Sequence, residues 1–192
     1  MTTPLPVPAD EEVAAAVFAS HIARVSASAQ ARAQGWVFTP IDPLHAVVTV
    51  AATRATGEKD LYYVLLGAEY YDSYPPTTSF VCPPANGAVE GTSLDQWKQA
   101  RKGGRWFPLA EGLSWFAVHD SYQFQFPSED AYSSPRQLVC CSATFEYYIS
   151  GHNPTESQRW RQGRHTLAAT LDRIQEALDS ANYGGPSGAD DS

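Results

Sequence analysis

The chain has 192 residues, with 13 Lys plus Arg against 21 Asp plus Glu and a formal charge of -8 at neutral pH. A surface this acidic repels phosphate backbones, which argues against nucleic acid as a partner, while the length is enough for one domain that folds without staples. Three cysteines, Cys82, Cys140 and Cys141, cannot form an even disulfide framework, and the adjacent pair bridges only through a strained ring; free thiols in a reducing cytoplasm are the expectation.

No apolar run approaches the roughly 18 residues needed to cross a bilayer, so no membrane is expected. The segment from Met1 to Pro8 has neither the basic region nor the apolar core of an export signal. With Pro4, Pro6 and Pro8, residues 1–10 read as a disordered leader. Asp10 then starts a helix in which Val13, Val17, Phe18, Ile22 and Val25 recur at helical spacing as far as about Ala33, and Gly35 ends it.

Three strand candidates follow: Trp36 to Thr39, Ala46 to Thr53 and Leu61 to Tyr71. They are separated by Pro40, Pro43 and a Thr56-Gly57-Glu58 turn. This is the pattern of an antiparallel meander. Tyr74-Pro75-Pro76 stops the ladder, because proline supplies no backbone donor, and Ser79 to Cys82 resumes as a fourth, short strand.

Residues 83–135 are rich in Gly, Pro and aromatics, among them Trp97, Trp106, Phe107, Trp115 and Phe116, with weak periodicity. They read as an insertion packed onto the domain as a lid, since surfaces rarely leave so much contiguous apolar area bare. From Leu138 the chain alternates as far as Tyr147, which places Cys141 inward and Cys140 outward. Asn153-Pro154-Thr155-Glu156 has the cap acceptor, the first-position proline and the third-position acid of a helix entry. Between Arg164 and Ala181, Leu167, Leu171, Ile174 and Leu178 form one apolar stripe, and residues 182–192 read as a disordered tail.

The expected whole is an α+β domain over residues 11–181: N-terminal helix, four-stranded antiparallel meander, aromatic-rich insertion and C-terminal helix. That order resembles the ubiquitin-conjugating fold, in a divergent bacterial form. Tyr74, Pro75 and Pro76, with Phe80 four positions beyond, resemble the family's Tyr-Pro turn leading into its fourth strand. Val139-Cys140-Cys141 resembles its aliphatic-Cys-aliphatic site, and Thr166 to Leu178 resembles the helix that follows the catalytic region. The family's His-Pro-Asn motif is absent, since Tyr132 to Gln137 stand before the cysteines, and the interval from Pro76 to Cys140 is longer than the family's connection.

The resemblance implies a carrier that accepts a ubiquitin-like modifier protein from an activating enzyme as a thioester and passes it to a protein or small amine target, without a cofactor. Cys140 would be the nucleophile and Cys141 the second candidate. Such chemistry needs an exposed thiolate, which Arg136 four residues back would favour, and a donor for the oxyanion. Asn153 would take the missing asparagine's place, and His152 would orient the amine. Tyr74, Pro75, Pro76, Trp106 and Trp115 are the candidate partner contacts.

Two further readings stay open. One is a non-catalytic binding module of the same shape, as in the family's relatives that lack the cysteine (an RWD-like domain). The other is a zinc-binding protein using Cys82, His119, Cys140, Cys141 and His152, although no Cys-x-x-Cys or His-x-x-x-His spacing supports it. No phosphate-binding loop, Ser-His-Asp order or paired-carboxylate motif stands out.

Overall fold

A computed structural model of the chain describes residues 6–83, 89–99, 117–122, 136–149, 152, 154–181, 183 and 185; within these, the side chains of 98–99, 117–122 and 136–139 lie outside the description. Asp10 opens α1 (Glu11–Ser26), its carboxylate accepting from the Val13 N–H at 3.1 Å. Ala14, Phe18 and Val25 turn inward while Val13 stays exposed. The single helix expected as far as Ala33 is two helices. The chain turns at Ala27-Ser28, and the Ser28 hydroxyl accepts from the Ala31 N–H at 3.0 Å to cap α2 (Ala29–Gln34). Apolar periodicity hides the break because Ala31 stays in register with the core; the serine, a local acceptor, restarts the helix. Gly35 closes α2 with φ 71°, a left-handed conformation that costs glycine little.

The antiparallel meander forms from β1 (Val37–Asp42), β2 (His45–Thr53), β3 (Lys59–Gly67) and β4 (Thr77–Val81). The third strand stops at Gly67 and not at Tyr71, because the chain turns there, with the Tyr71 N–H donating to the Ala68 carbonyl and the Tyr74 N–H to the Tyr70 carbonyl. Pro40 lies within β1 opposite Ala46 instead of ending the strand. β1 is the sheet's edge, where a residue without an N–H is tolerated. The sheet is wider than four strands. β5 (Ala117–Tyr122), from within the stretch read as an insertion, pairs with β6 (Arg136–Cys140), and β6 docks on β4 through Phe80 and Gln137. The order is β1-β2-β3-β4-β6-β5.

Two helices complete the described structure around the core: α4 (Phe145–Ile149) and α5 (Leu167–Leu178). Leu167, Leu171, Ile174 and Leu178 of α5 are all buried, on one face, against Val48, Val50, Val64 and Leu66 of the sheet. Each contributes up to about 1.5 to 3 kcal/mol, an upper bound because the unfolded chain already hides some apolar surface. Gln175 crosses the same face with its polar atoms satisfied, accepting from Trp36 Nε1 at 3.0 Å and donating to the Ala51 carbonyl at 2.9 Å.

On the opposite face, α3 (Leu94–Gln99) sets Trp97, fully buried, against Val47, Leu65 and Val81. This part of the 83–135 stretch packs as a lid; Trp106 and Trp115 lie outside the described residues. The tail expected from residue 182 is tied down at Tyr183. Its hydroxyl donates to buried Asp60 Oδ2 at 2.9 Å and meets the Tyr62 hydroxyl at 2.6 Å, while Arg54 grips both oxygens of Asp60 at 2.7 and 2.8 Å.

Candidate functional site

The cysteine pair sits where β6 ends. The alternation that predicts a strand as far as Tyr147 stops at Cys140, because Thr144 closes a turn. Its hydroxyl and its N–H both reach the Cys141 carbonyl, at 3.0 and 2.9 Å, and its Oγ1 accepts from the Cys141 N–H at 3.1 Å. α4 then starts at Phe145. Cys140 is 3% exposed and Cys141 1%. The expected outward Cys140 is therefore corrected. Alternation assigns a residue to a face of the sheet and does not say whether that face is covered; the burial of Cys140 shows that it is. Cys141 belongs to the helix-side core, and burial above all, with the neighbouring Cys140 adding, pushes its thiol up to about 12.

The Tyr-Pro-Pro turn is a buried corner. Pro75 and Pro76 are buried and Tyr74 half-buried, so the two prolines are not a free partner-binding surface. The Pro76 carbonyl accepts from the Phe145 N–H at 3.1 Å, satisfying one of the helix's first donors. The Phe145 ring stacks on Tyr70 at 4.1 Å and meets Tyr74 edge-on at 5.8 Å, and Tyr74 meets Tyr148 edge-on at 5.6 Å. Buried Glu146 accepts from the Thr78 N–H at 2.8 Å and the Thr78 hydroxyl at 3.3 Å. The fold thus brings the two sequence motifs together, but as a packed joint.

His152 is exposed, its ring stacked on Tyr147 at 4.7 Å, and lies beyond the end of α4 opposite to Cys141. Asn153 is outside the described residues, as are the side chains of Arg136 and His119. The helix entry expected at 153–156 is a single turn, with the Thr155 carbonyl accepting from Gln158 and Arg159 N–H groups, both at 3.0 Å. The chain leaves it because Trp160 turns inward and donates from Nε1 to the Asp72 carbonyl at 2.8 Å. Asp72 in turn accepts from Gln162 Nε2 at 3.1 Å and the Gly163 N–H at 3.0 Å. The cap of the real helix is Thr166. The sequence reading missed the roles of Asp72, Glu146 and Thr170, whose hydroxyl donates to the Ala143 carbonyl at 2.7 Å. Their partners are distant in the chain and no local pattern marks them.

A second polar group lies at the same end of the meander, where β2 begins and β3 ends. His45 Nδ1 is 2.8 Å from Asp42 Oδ1, and its Nε2 is 2.9 Å from Glu69 Oε1. Gly67 pairs with His45 across the β2-β3 ladder, and a methyl there would run into Thr77 Oγ1 and Glu69 Oε2. Burial alone lowers the pKa of His45, but the hydrogen bonds and charges of Glu69 and Asp42 outweigh it, and the net movement is upward from 6.5.

A group with a raised folded pKa stabilises fully below its unfolded pKa and loses that contribution as pH rises through the folded value. His21 and His165 move downward, mainly through burial, so their pH dependence lies below about 6.5 and has the opposite sign. Equilibrium unfolding from pH 6.5 to 8.5 is therefore expected to show wild-type stability falling relative to His45→Gln. Parallel curves would show that the two carboxylates do not hold the proton.

Among the described residues, no three His, Cys, Asp or Glu side chains come together to hold a metal ion, and no helix is long and apolar enough to cross a membrane. No protein-family model matches the chain, and the search of curated proteins gives no significant match.

Proposed function

We propose that the chain is a ubiquitin-conjugating-like domain that serves as a protein-binding scaffold and not as a thioester carrier. The observation that carries this reading is the burial of both vicinal cysteines, at a turn that Thr144 closes beside the Tyr-Pro-Pro corner. A thioester carrier needs a reachable thiolate. Burial of Cys141, and the upward push on its thiol, work against that chemistry.

The surface offered to a partner is the outer face of the meander. α3 covers the half around Val47, Leu65 and Val81. In the other half, Val37 pairs with Thr49 and Leu61 with Ala51, which places all four on one face, and Val37 and Leu61 are 57% and 49% exposed. A partner seated on this face would cover both side chains and the Thr49 and Ala51 positions between them.

Incubation of the native protein with an activating enzyme, ATP and a ubiquitin-like modifier is expected to give no thiol-sensitive adduct. An adduct lost in Cys140→Ala would overturn the scaffold reading in favour of carriage. Cross-linking in the producing cell supplies the positive arm: Leu61→Asp should remove partner cross-links that Cys140→Ala and Cys141→Ala leave in place.

A further inference from the structure

A cavity of about 260 Å³ opens between the Ser142-Ala143 turn, the 155–160 turn and the face of α5. Its wall is divided. Ala143, Ala169 and the Trp160 side chain form an apolar side, and Ser142, His165 and Arg173 provide donors. Ala169 and Arg173, four residues apart, share one face of α5, and His165, just before the Thr166 cap, lines the same cavity.

The donors have definite states. The Arg161 N–H donates to His165 Nδ1 at 2.8 Å, so the neutral imidazole carries its proton on Nε2. Burial, with Arg164 and Arg161 nearby, keeps this ring in the neutral form at neutral pH. Arg173 shares its guanidinium with Glu176 at 2.9 Å, both side chains being about half exposed. The charge around the cavity is opposite in sign to that of the chain: residues 155–173 hold Arg159, Arg161, Arg164 and Arg173 against Glu156 and Asp172, whereas the whole chain is at -8.

We propose that this cavity binds a small monocarboxylate, with the carboxylate at Arg173, His165 and Ser142 and the short hydrocarbon against Trp160, Ala143 and Ala169. A guanidinium matches the planar carboxylate. One shared guanidinium and a neutral imidazole suit a single negative charge and not the near-double charge of phosphate. The volume lies below the usual range of about 300–1,000 Å³ for drug-sized sites, and since a cavity of about 150 Å³ takes benzene, the occupant is limited to roughly ten heavy atoms. The indole and the two alanine methyls favour a ligand with a carbon tail over a bare inorganic ion.

The test is an NMR titration of the full chain with propionate, inorganic phosphate and chloride at matched ionic strength, following the Ala143 and Ala169 methyls and the His165 ring. Propionate should give saturable shifts at these three residues. Arg173→Gln should weaken its binding by at least about tenfold, the scale of one lost charge-assisted hydrogen bond, while Arg159→Gln should change it little. Ala169→Leu, which fills the cavity without changing charge, should abolish the shifts while the rest of the spectrum stays folded. The proposal is overturned by non-saturating shifts, by equal responses to chloride, by tighter binding of phosphate than of propionate, or by unchanged propionate affinity in folded Arg173→Gln and Ala169→Leu.

Discussion

Replacing Phe145 by alanine is expected to cost about 3–5 kcal/mol of unfolding free energy, the range for truncating a fully buried aromatic ring. The ring is 0% exposed and joins pieces of chain about 70 residues apart, stacked on Tyr70 at 4.1 Å and edge-on to Tyr74 at 5.8 Å. Each such aromatic pair adds about 0.5–1.5 kcal/mol beyond area burial. Relaxation around the vacancy is limited because the backbone on both sides is fixed: the Phe145 N–H donates to Pro76, and Glu146 beside it holds Thr78. Urea unfolding of Phe145→Ala and Phe145→Leu separates lost volume from lost ring geometry, and leucine should recover a substantial part of the loss. A cost below about 1 kcal/mol for alanine, far under that range, would mean that α4 does not brace the corner.

The second large effect is kinetic. Only the thiolate attacks an alkylating agent, and moving a thiol from 9.0 to about 12 lowers the thiolate fraction at neutral pH about a thousandfold. Steric closure acts in the same direction, since Cys141 is 1% exposed. Iodoacetamide at pH 7.5, read by peptide mass spectrometry, should therefore leave native Cys141 unmodified over a period that labels it fully in denaturant. Cys140, 3% exposed, should also be protected by exclusion of the reagent. Labelling of native Cys140 at the rate of a free thiol would remove the main support for the scaffold reading. In Phe145→Ala, by contrast, both thiols should become more reactive, because loosening α4, which starts four residues after Cys141, frees the turn that holds them.

These outcomes bear on how the two motifs relate. The Tyr-Pro-Pro corner and the turn after Cys-Cys meet in space through the Phe145 N–H and the Pro76 carbonyl, but adjacency has two uses. The corner is able to frame an open nucleophile or to cap a closed one, and the sequence does not distinguish them. Cys140 shows why. Its place on an alternating strand gives the face to which it belongs, whereas its exposure depends on whether another segment covers that face. Trp97 illustrates the same point on the meander: an aromatic in a stretch of weak periodicity becomes a core residue because α3 lands on Val47, Leu65 and Val81.

What the amino-acid order determined by itself is the set of elements whose signals are local. The Asp10 cap, the Gly35 stop, the three strands of the meander apart from their ends and the Leu167-Leu171-Ile174-Leu178 stripe formed, since each depends on nearest-neighbour backbone chemistry or on side-chain period. Only the tertiary structure decided the sixth strand beside β4, the inward turn of both cysteines, the anchoring of Tyr183 on Asp60 and the hold of Asp72 on residues 160–163. Each of these is a contact between segments far apart in the chain. Its free energy comes from excluding water between two surfaces or from satisfying a buried polar group with a distant partner, and neither term exists until the segments have met.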